Sequence, residues 1–163
     1  MKRRGLGKSD LAALAALLLA GPVHAAPAAV LDARAAQAIV AGCAAHASAK
    51  RQSHAIAVVD PGGHVIASLR MDGDGYGIMD FAIAKAEAAA AWGFATARMA
   101  DGARETPGFG SAPHVVTVAG GLPVYSTDGV RLGAVGVSGE APVDDEACAE
   151  AGIRAAGFRS ARG

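Results

Sequence analysis

The stretch from residue 54 to residue 71, HAIAVVDPGGHVIASLRM, decides the fold of this chain. It contains two β-type runs, His54–Asp60 and His64–Met71, which are joined by the turn-forming triplet Pro61-Gly62-Gly63. Because so short a connection folds the second run back on the first, the stretch predicts an antiparallel hairpin. Its predicted structural residues are the turn-capping aspartate and the two glycines of the turn, namely Asp60, Gly62 and Gly63.

The elements on either side of the hairpin predict helices packed on a sheet. Residues 32–51 are typical of a helix that Asp32 caps at its N-terminus, and residues 78–100 of a second, longer helix. The sequence further predicts a mobile flap, three short strands and a last helix, at residues 101–114, 115–118, 122–125, 132–137 and 143–158. This order predicts one α+β domain over residues 26–163, with a mainly antiparallel sheet flanked by helices.

The N-terminal segment has a different character from the rest of the chain. Residues 2–8 carry four basic side chains, residues 11–21 are only Leu, Ala and Gly, and small residues stand at Val23 and Ala25. This pattern predicts a secretory signal peptide over residues 1–25, and therefore a periplasmic or secreted protein. The apolar run is shorter than the roughly 20 residues that span a bilayer, so no stable membrane insertion is expected after cleavage. The pair Arg3-Arg4 leaves twin-arginine export open.

The charge balance argues against a nucleic-acid partner. The 163 residues contain 15 Lys plus Arg and 15 Asp plus Glu. The predicted signal peptide holds four of the basic residues and one acidic residue, Asp10, so the mature part carries 11 against 14 and a net charge of −3. A mildly acidic surface provides no global attraction for nucleic acid or for anionic membranes.

The two cysteines, Cys43 and Cys148, leave two interpretations open. An oxidising compartment permits a disulfide between them. Each lies in a predicted helix, however, where a cysteine also serves as a small buried apolar residue.

Lys85 is the first candidate for a functional residue. In the predicted long helix it lies four residues after Phe81 and seven before Trp92, on the apolar face. A lysine there must extend to solvent or find a partner. Either it binds a carboxylate or propionate of a ligand, or it pairs with Asp60 or Asp145 as a structural link.

His64 is the second candidate, because it opens a strand and shares a strand face with Arg70. A ligand at the hairpin end would then meet an imidazole and a guanidinium together, which suits an anionic, metal-bearing ligand. His54 and His114 flank strands and are predicted to be solvated. With no Cys/His cluster in the sequence a zinc site is not expected, whereas a single axial ligand to a porphyrin remains open. No catalytic constellation is predicted, since Ser138 lacks the glycine spacing of a nucleophile elbow.

Four blocks of the sequence carry a family resemblance. They are VVDPGGHVIASLRMDG, IAKAEAAAAWG, GGLPVYSTDGVRLGAVGVSG and DEACAEAG, which begin at Val58, Ile83, Gly120 and Asp145. In this order and spacing the chain resembles the GlcG/HbpS family of haem-binding proteins, to which the C-terminal domain of PduO-type proteins is related. The resemblance implies an antiparallel five-stranded sheet flanked by helices, a homo-oligomer such as a tetramer or octamer, and haem or another tetrapyrrole as ligand. It also makes Cys148 a family-type residue without an obvious partner, which favours a free thiol.

The leading functional hypothesis is therefore an exported tetrapyrrole-binding protein that sequesters, delivers or senses haem. Its expected haem-binding residues are His64, Arg70, Met71, Lys85 and Trp92, with His64 as the candidate axial ligand. Two alternatives stay open. One is an enzyme that degrades haem or acts on a small organic acid, and the other is an accessory oligomer in which the same residues have only structural roles.

Overall fold

The computed structural model describes residues 30–162, so the predicted signal peptide lies outside the described part. Its elements in chain order are α1 (Ala33–Lys50), β1 (Ala55–Val59), β2 (Val65–Arg70), α2 (Tyr76–Trp92), α3 (Thr96–Glu105), β3 (Gly121–Tyr125), β4 (Arg131–Ser138) and α4 (Pro142–Ala155). The predicted N-cap of α1 is confirmed, because the Asp32 carboxylate accepts the backbone N–H of Ala35 at 2.7 Å. No helix within residues 30–162 is long and apolar enough to cross a membrane.

The sheet has four strands in the order β2-β1-β4-β3, and every neighbouring pair is antiparallel. The α+β class and the hairpin are confirmed, but the expectation of five strands is wrong. Residues 115–118 form no strand. This run begins directly after His114, whose φ is +57°, and ends shortly before Gly120, whose φ is +119°. The sheet therefore ends at β3 and β2, its two edge strands.

The predicted long helix over residues 78–100 is in fact two helices, because α2 ends at Trp92 and Gly93 adopts the left-handed conformation that closes a helix. The Tyr125 hydroxyl donates a hydrogen bond to the Gly93 carbonyl at 2.9 Å and fixes this break. The predicted flap is also wrong in part. Residues 101–105 continue α3, and Phe109 begins a short 3₁₀ turn with its ring 5.1 Å from that of Trp92.

The central strand β1 separates two cores. Ile56 and Val58 face α1 and α4 across one side of the sheet, where Ile39, Cys43 and Ile153 complete the larger core. On the other side, alternate residues of β1 pack against α2, and this smaller core is built almost wholly from alanine, at positions 55, 57, 82, 86, 89, 90 and 134. Small side chains bring helix and sheet close together, so α2 lies directly against the strands.

Gly136 shows how close this approach is. A Cβ at this position in β4 would collide with the carbonyl oxygen of Ala82 and with the backbone nitrogen of Ala86. We expect Gly136→Ala to lower the free energy of unfolding by about 1–3 kcal/mol, because the helix backbone must shift to make room. Urea denaturation measures this. Gly77→Ala is a control at a helical glycine of α2 with open space around it, where the same substitution should leave stability unchanged or slightly raised.

On the opposite side of the sheet, a disulfide joins α1 to α4. Cys43 and Cys148 are bonded, with their Cα atoms 4.7 Å apart, and both side chains are fully buried. The two helices come together at glycines, since a Cβ on Gly42 would overlap Ala155 and one on Gly152 would overlap Ile39. Of the two interpretations that the sequence left open, the structure has the disulfide, and the preference for a free thiol at Cys148 is wrong.

Candidate functional site

The hairpin turn holds its shape through one carboxylate. Asp60 Oδ1 accepts the backbone N–H groups of Gly62 at 2.8 Å and of His64 at 3.0 Å. Gly63, with a φ of +87°, completes a turn conformation that residues with a side chain rarely adopt. The chain thereby leaves β1 and enters β2 with the side chain of His64 at the tip of the hairpin.

The same carboxylate also orients the imidazole of His64. Nδ1 lies 3.2 Å from Asp60 Oδ2, while the side chain as a whole is 83% exposed. The hydrogen bond from the backbone N–H of His64 lowers the pKa of the Asp60 carboxyl, although partial desolvation acts in the opposite direction. With its proton on Nδ1, the neutral imidazole donates a hydrogen bond to this carboxylate. Nε2 is left with its lone pair directed away from the turn, which is how a metal-binding histidine is usually prepared.

A groove of about 350 Å³ lies beside this imidazole. The turn forms one wall, and the other walls come from Glu87 and Ala91 of α2 and from His114. His114 is exposed, as predicted, and gives the groove a second imidazole. Sequence reasoning missed Glu87, although it lies four residues before Ala91 on the same helix, a spacing that places these two side chains near one another.

Lys85 lies in the interior, near the start of β1 and away from the hairpin turn, because its partners are Val137, which pairs with Ile56, and Asp145, which contacts His54. Its side chain is 1% exposed, and its ammonium donates to Asp145 Oδ2 and to the Val137 carbonyl, both at 2.9 Å, with the centre of the Phe81 ring 4.8 Å away. Of the two partners considered for it, the structure therefore has Asp145. A ligand carboxylate would reach Lys85 only if that ion pair opened.

Asp145 has a second buried partner that the sequence did not indicate. His54 is fully buried and its Nδ1 lies 3.1 Å from Asp145 Oδ1, so the expectation that His54 is solvated is wrong. The same carboxylate oxygen accepts the backbone N–H of Glu140. The carboxylate therefore links the start of β1, the middle of α2 and the first turn of α4. No local signal predicts this, because the three side chains are 31 or more positions apart in the sequence.

The other expected site residues do not gather around His64. Arg70 stands at the opposite end of β2, about 20 Å away at roughly 3.4 Å per residue, and its guanidinium donates to the Asp74 carbonyl. Met71 is partly buried against the larger core. Trp92 is nearer, at the end of α2, where it is 38% exposed and its indole N–H donates to the Pro113 carbonyl at 3.1 Å. Within residues 30–162, no group of three or more His, Cys, Asp or Glu side chains is arranged to hold a metal ion.

Comparison with known proteins places this fold in a family. A family model described as "Haem degrading protein HbpS-like" matches residues 31–154, which is most of the chain. The chain belongs to the HbpS-like family. Among curated proteins, no sequence is significantly similar to it.

Solved structures of HbpS-like proteins have the same architecture. The chain is 27% identical in sequence to HbpS, whose crystal structure aligns with a TM-score of 0.71, and the alignment covers 83% of this chain and 96% of HbpS. A double mutant of HbpS from Streptomyces reticuli is 29% identical, with a TM-score of 0.72, over 86% of this chain and 96% of that chain. A complex of PduOC with haem is 23% identical, with a TM-score of 0.74, over 81% and 99% of the two chains, and at this identity it shows the fold alone.

The family membership confirms the resemblance found in the sequence and supports haem as the cofactor. It does not identify the residues that bind haem in this chain. The oriented imidazole of His64, with the aromatic side chain of Trp92 and an open groove nearby, fits a haem group, which needs a Lewis base for its iron and a flat apolar surface for its ring.

Proposed function

We propose that this protein binds haem at the hairpin turn, with His64 Nε2 as the axial ligand. The observation that carries the proposal is the His64–Asp60 pair, in which an exposed imidazole has its Nδ1 held 3.2 Å from a carboxylate and its Nε2 free. Membership of the HbpS-like family supports haem as the ligand. Bound haem would supply an iron centre for ligand binding and electron transfer, and this chain would supply the axial base and the groove.

The biological role proposed for this binding is sequestration, delivery or sensing of haem outside the cytoplasm. The predicted signal peptide supports export, and a disulfide between Cys43 and Cys148 suits an oxidising compartment. We also propose a homo-oligomer, a tetramer or an octamer, as the resemblance implies. Light scattering of the mature protein with and without haemin measures its mass.

The first prediction concerns the axial ligand. Titration of the mature protein with haemin should give a saturable change in the Soret band, and His64→Ala should abolish the spectrum of a histidine-ligated iron. Asp60→Asn should weaken binding by roughly 10–100-fold, because loss of a hydrogen-bonded partner that orients a ligating histidine has that effect. The measurements are absorption titration and the electron paramagnetic resonance spectrum of the ferric form.

His114→Ala is the matched control, because it removes the other imidazole of the same groove. It should leave the spectrum of the bound form unchanged. If His114→Ala removed the histidine-ligated spectrum and His64→Ala did not, the axial ligand would be misassigned. If the unmodified protein gave no saturable Soret change, the proposed function itself would be wrong.

Haem degradation is the second candidate function, and the description of the matched family favours it. The test is the fate of bound haem when ascorbate and oxygen are added in the presence of catalase. A binding protein leaves the Soret band intact, whereas a degrading enzyme consumes it and releases iron, which ferrozine detects. His64→Ala should prevent the loss of the Soret band if degradation takes place at this site.

A further inference from the structure

Two arginines stand at the same end of the sheet as His64. In the ladder between β1 and β4, Val59 pairs with Ala134, so the chain continuing past Val59 into the turn approaches the start of β4 at Arg131. The β3–β4 pairing places Tyr125 opposite Arg131. The register of the sheet therefore brings the guanidinium of Arg131 beside the hairpin turn, 67 positions after His64 in the sequence.

A second groove, of about 490 Å³, contains this guanidinium. Its walls are Pro61, Trp92, Gly93 and Tyr125, and a second guanidinium, that of Arg162, completes it. The groove adjoins the one beside His64, because Pro61 lines both and the consecutive residues Ala91 and Trp92 line one each. The two grooves form a continuous surface along the turn, with imidazole at one end and guanidinium at the other.

Neither guanidinium has a counter-charge within the described residues. The ion pairs found there involve other cations, namely Lys50, His54, His64, Lys85 and Arg104. Gly93 leaves the space that Arg131 occupies, since a Cβ on Gly93 would collide with Arg131 Nη1. Two exposed guanidinium groups without an ion pair in residues 30–162, beside an aromatic ring, are a suitable site for the carboxylates of a planar ligand. Guanidinium groups bind carboxylates through two parallel hydrogen bonds.

We propose that Arg131 and Arg162 bind the two propionate carboxylates of the haem whose iron His64 ligates. The proposal rests on the proposed function and adds a subsite to it. It also replaces the two cations expected from the sequence, because Arg70 lies at the far end of β2 and the ammonium of Lys85 is buried against Asp145. Trp92, which lines the groove together with both guanidinium groups, would contact the ring of the bound haem.

The experiment compares haemin with haemin dimethyl ester, in which both carboxylates are esterified, on the mature protein. The unmodified protein should bind haemin about tenfold more tightly than the ester. This factor corresponds to a binding free energy of about 1.4 kcal/mol for two exposed ion pairs together. The double variant R131Q/R162Q should bind both forms with the affinity that the unmodified protein has for the ester. Raising the salt concentration should weaken haemin binding and leave ester binding unchanged.

Arg70→Gln is the matched control, since it removes an exposed arginine at the other end of the same hairpin. It should keep the full preference for haemin. Equal affinity of the unmodified protein for the two forms would overturn the subsite and leave haem binding standing, as would a loss of the preference in Arg70→Gln. If R131Q/R162Q still bound haemin more tightly than the dimethyl ester, the proposed subsite would be overturned as well. Absence of any saturable binding of either form would overturn the proposed function along with the subsite.

Discussion

Asp145→Ala should lower the free energy of unfolding by about 3–5 kcal/mol, because it leaves the ammonium of Lys85 buried without its counter-charge. Both side chains of this pair are almost completely buried, with exposures of 1% and 2%. The substitution also removes the acceptor for His54 Nδ1 and for the backbone N–H of Glu140. The measurement is urea denaturation, followed by circular dichroism, of the unmodified protein and the variant, both without the predicted signal peptide.

Asp144→Ala is the matched control for this experiment. Asp144 precedes Asp145 in the same turn of α4, but it is more exposed and its ion pair with Lys50 is long, at 3.6 Å. Its removal should cost no more than about 1 kcal/mol. Equal destabilisation by the two substitutions would contradict the special role of Asp145.

The double variant Lys85→Met/Asp145→Leu tests the cause of the effect. Replacing both members of a buried ion pair by apolar residues is often neutral, whereas removing one member leaves a charge unpaired. The double variant should therefore recover part of the lost stability, while His54 Nδ1 and the N–H of Glu140 stay without their acceptor.

Lys85→Met alone separates the two interpretations of Lys85 that the sequence left open. If the lysine is a structural link, the folded fraction of this variant should bind haemin with unchanged affinity while its stability falls. If the lysine instead binds a propionate, haemin affinity should fall and affinity for the dimethyl ester should not.

The parts of the fold that sequence reasoning predicted correctly are those that local chemistry specifies. Asp32 caps α1 by a hydrogen bond to a residue three positions later. Pro61-Gly62-Gly63 predicts a turn, and the chain reverses within these same three residues. The position of His64 at the hairpin tip follows from the same short stretch. In each case the signal and the structure that it produces lie within about five residues of each other.

The parts that it predicted wrongly depend on contacts between distant residues. The break after α2 has a local signal in Gly93, but a single glycine in an alanine-rich pattern also fits a continuous helix, and the contact that fixes the break comes from Tyr125, 32 positions later. The burial of His54 requires Asp145, 91 positions later. Secondary-structure propensity and hydrophobic periodicity describe neighbouring residues only. They therefore predict that a histidine next to a strand, such as His54, lies in solvent.

The cations near His64 were also predicted wrongly because their positions depend on contacts between distant residues. Residues on one strand face share an orientation, but the length of β2 separates His64 from Arg70 by about 20 Å. Arg131 is instead close because β1, β4 and β3 pair in a particular register. Knowing the topology beforehand would have been enough to identify it, since antiparallel neighbours bring the end of one strand to the start of the next.

The disulfide gives the second large effect on stability. Removing it with Cys43→Ala/Cys148→Ala should lower the free energy of unfolding by about 2–5 kcal/mol. The bond closes a loop across 105 positions, and chain-entropy reasoning gives about 4.7 kcal/mol for a loop of roughly that length. The loop contains the whole sheet, α2 and α3, so the bond restricts most of the unfolded chain.

Reduction of the unmodified protein provides the internal control. Denaturation in the presence of dithiothreitol should lower its free energy of unfolding to that of the double variant, apart from the effect of the smaller alanine side chains. The double variant itself should not respond to the reductant.

Because both sulfurs are fully buried between α1 and α4, reduction should need prior opening of these helices and should therefore be slow under native conditions and fast in urea. Reduction that was fast in the native state, or that left stability unchanged, would contradict a buried bond that holds the two helices together. The same reasoning predicts that protein made in a reducing cytoplasm is the less stable form, so the predicted export would determine how stable the mature protein is.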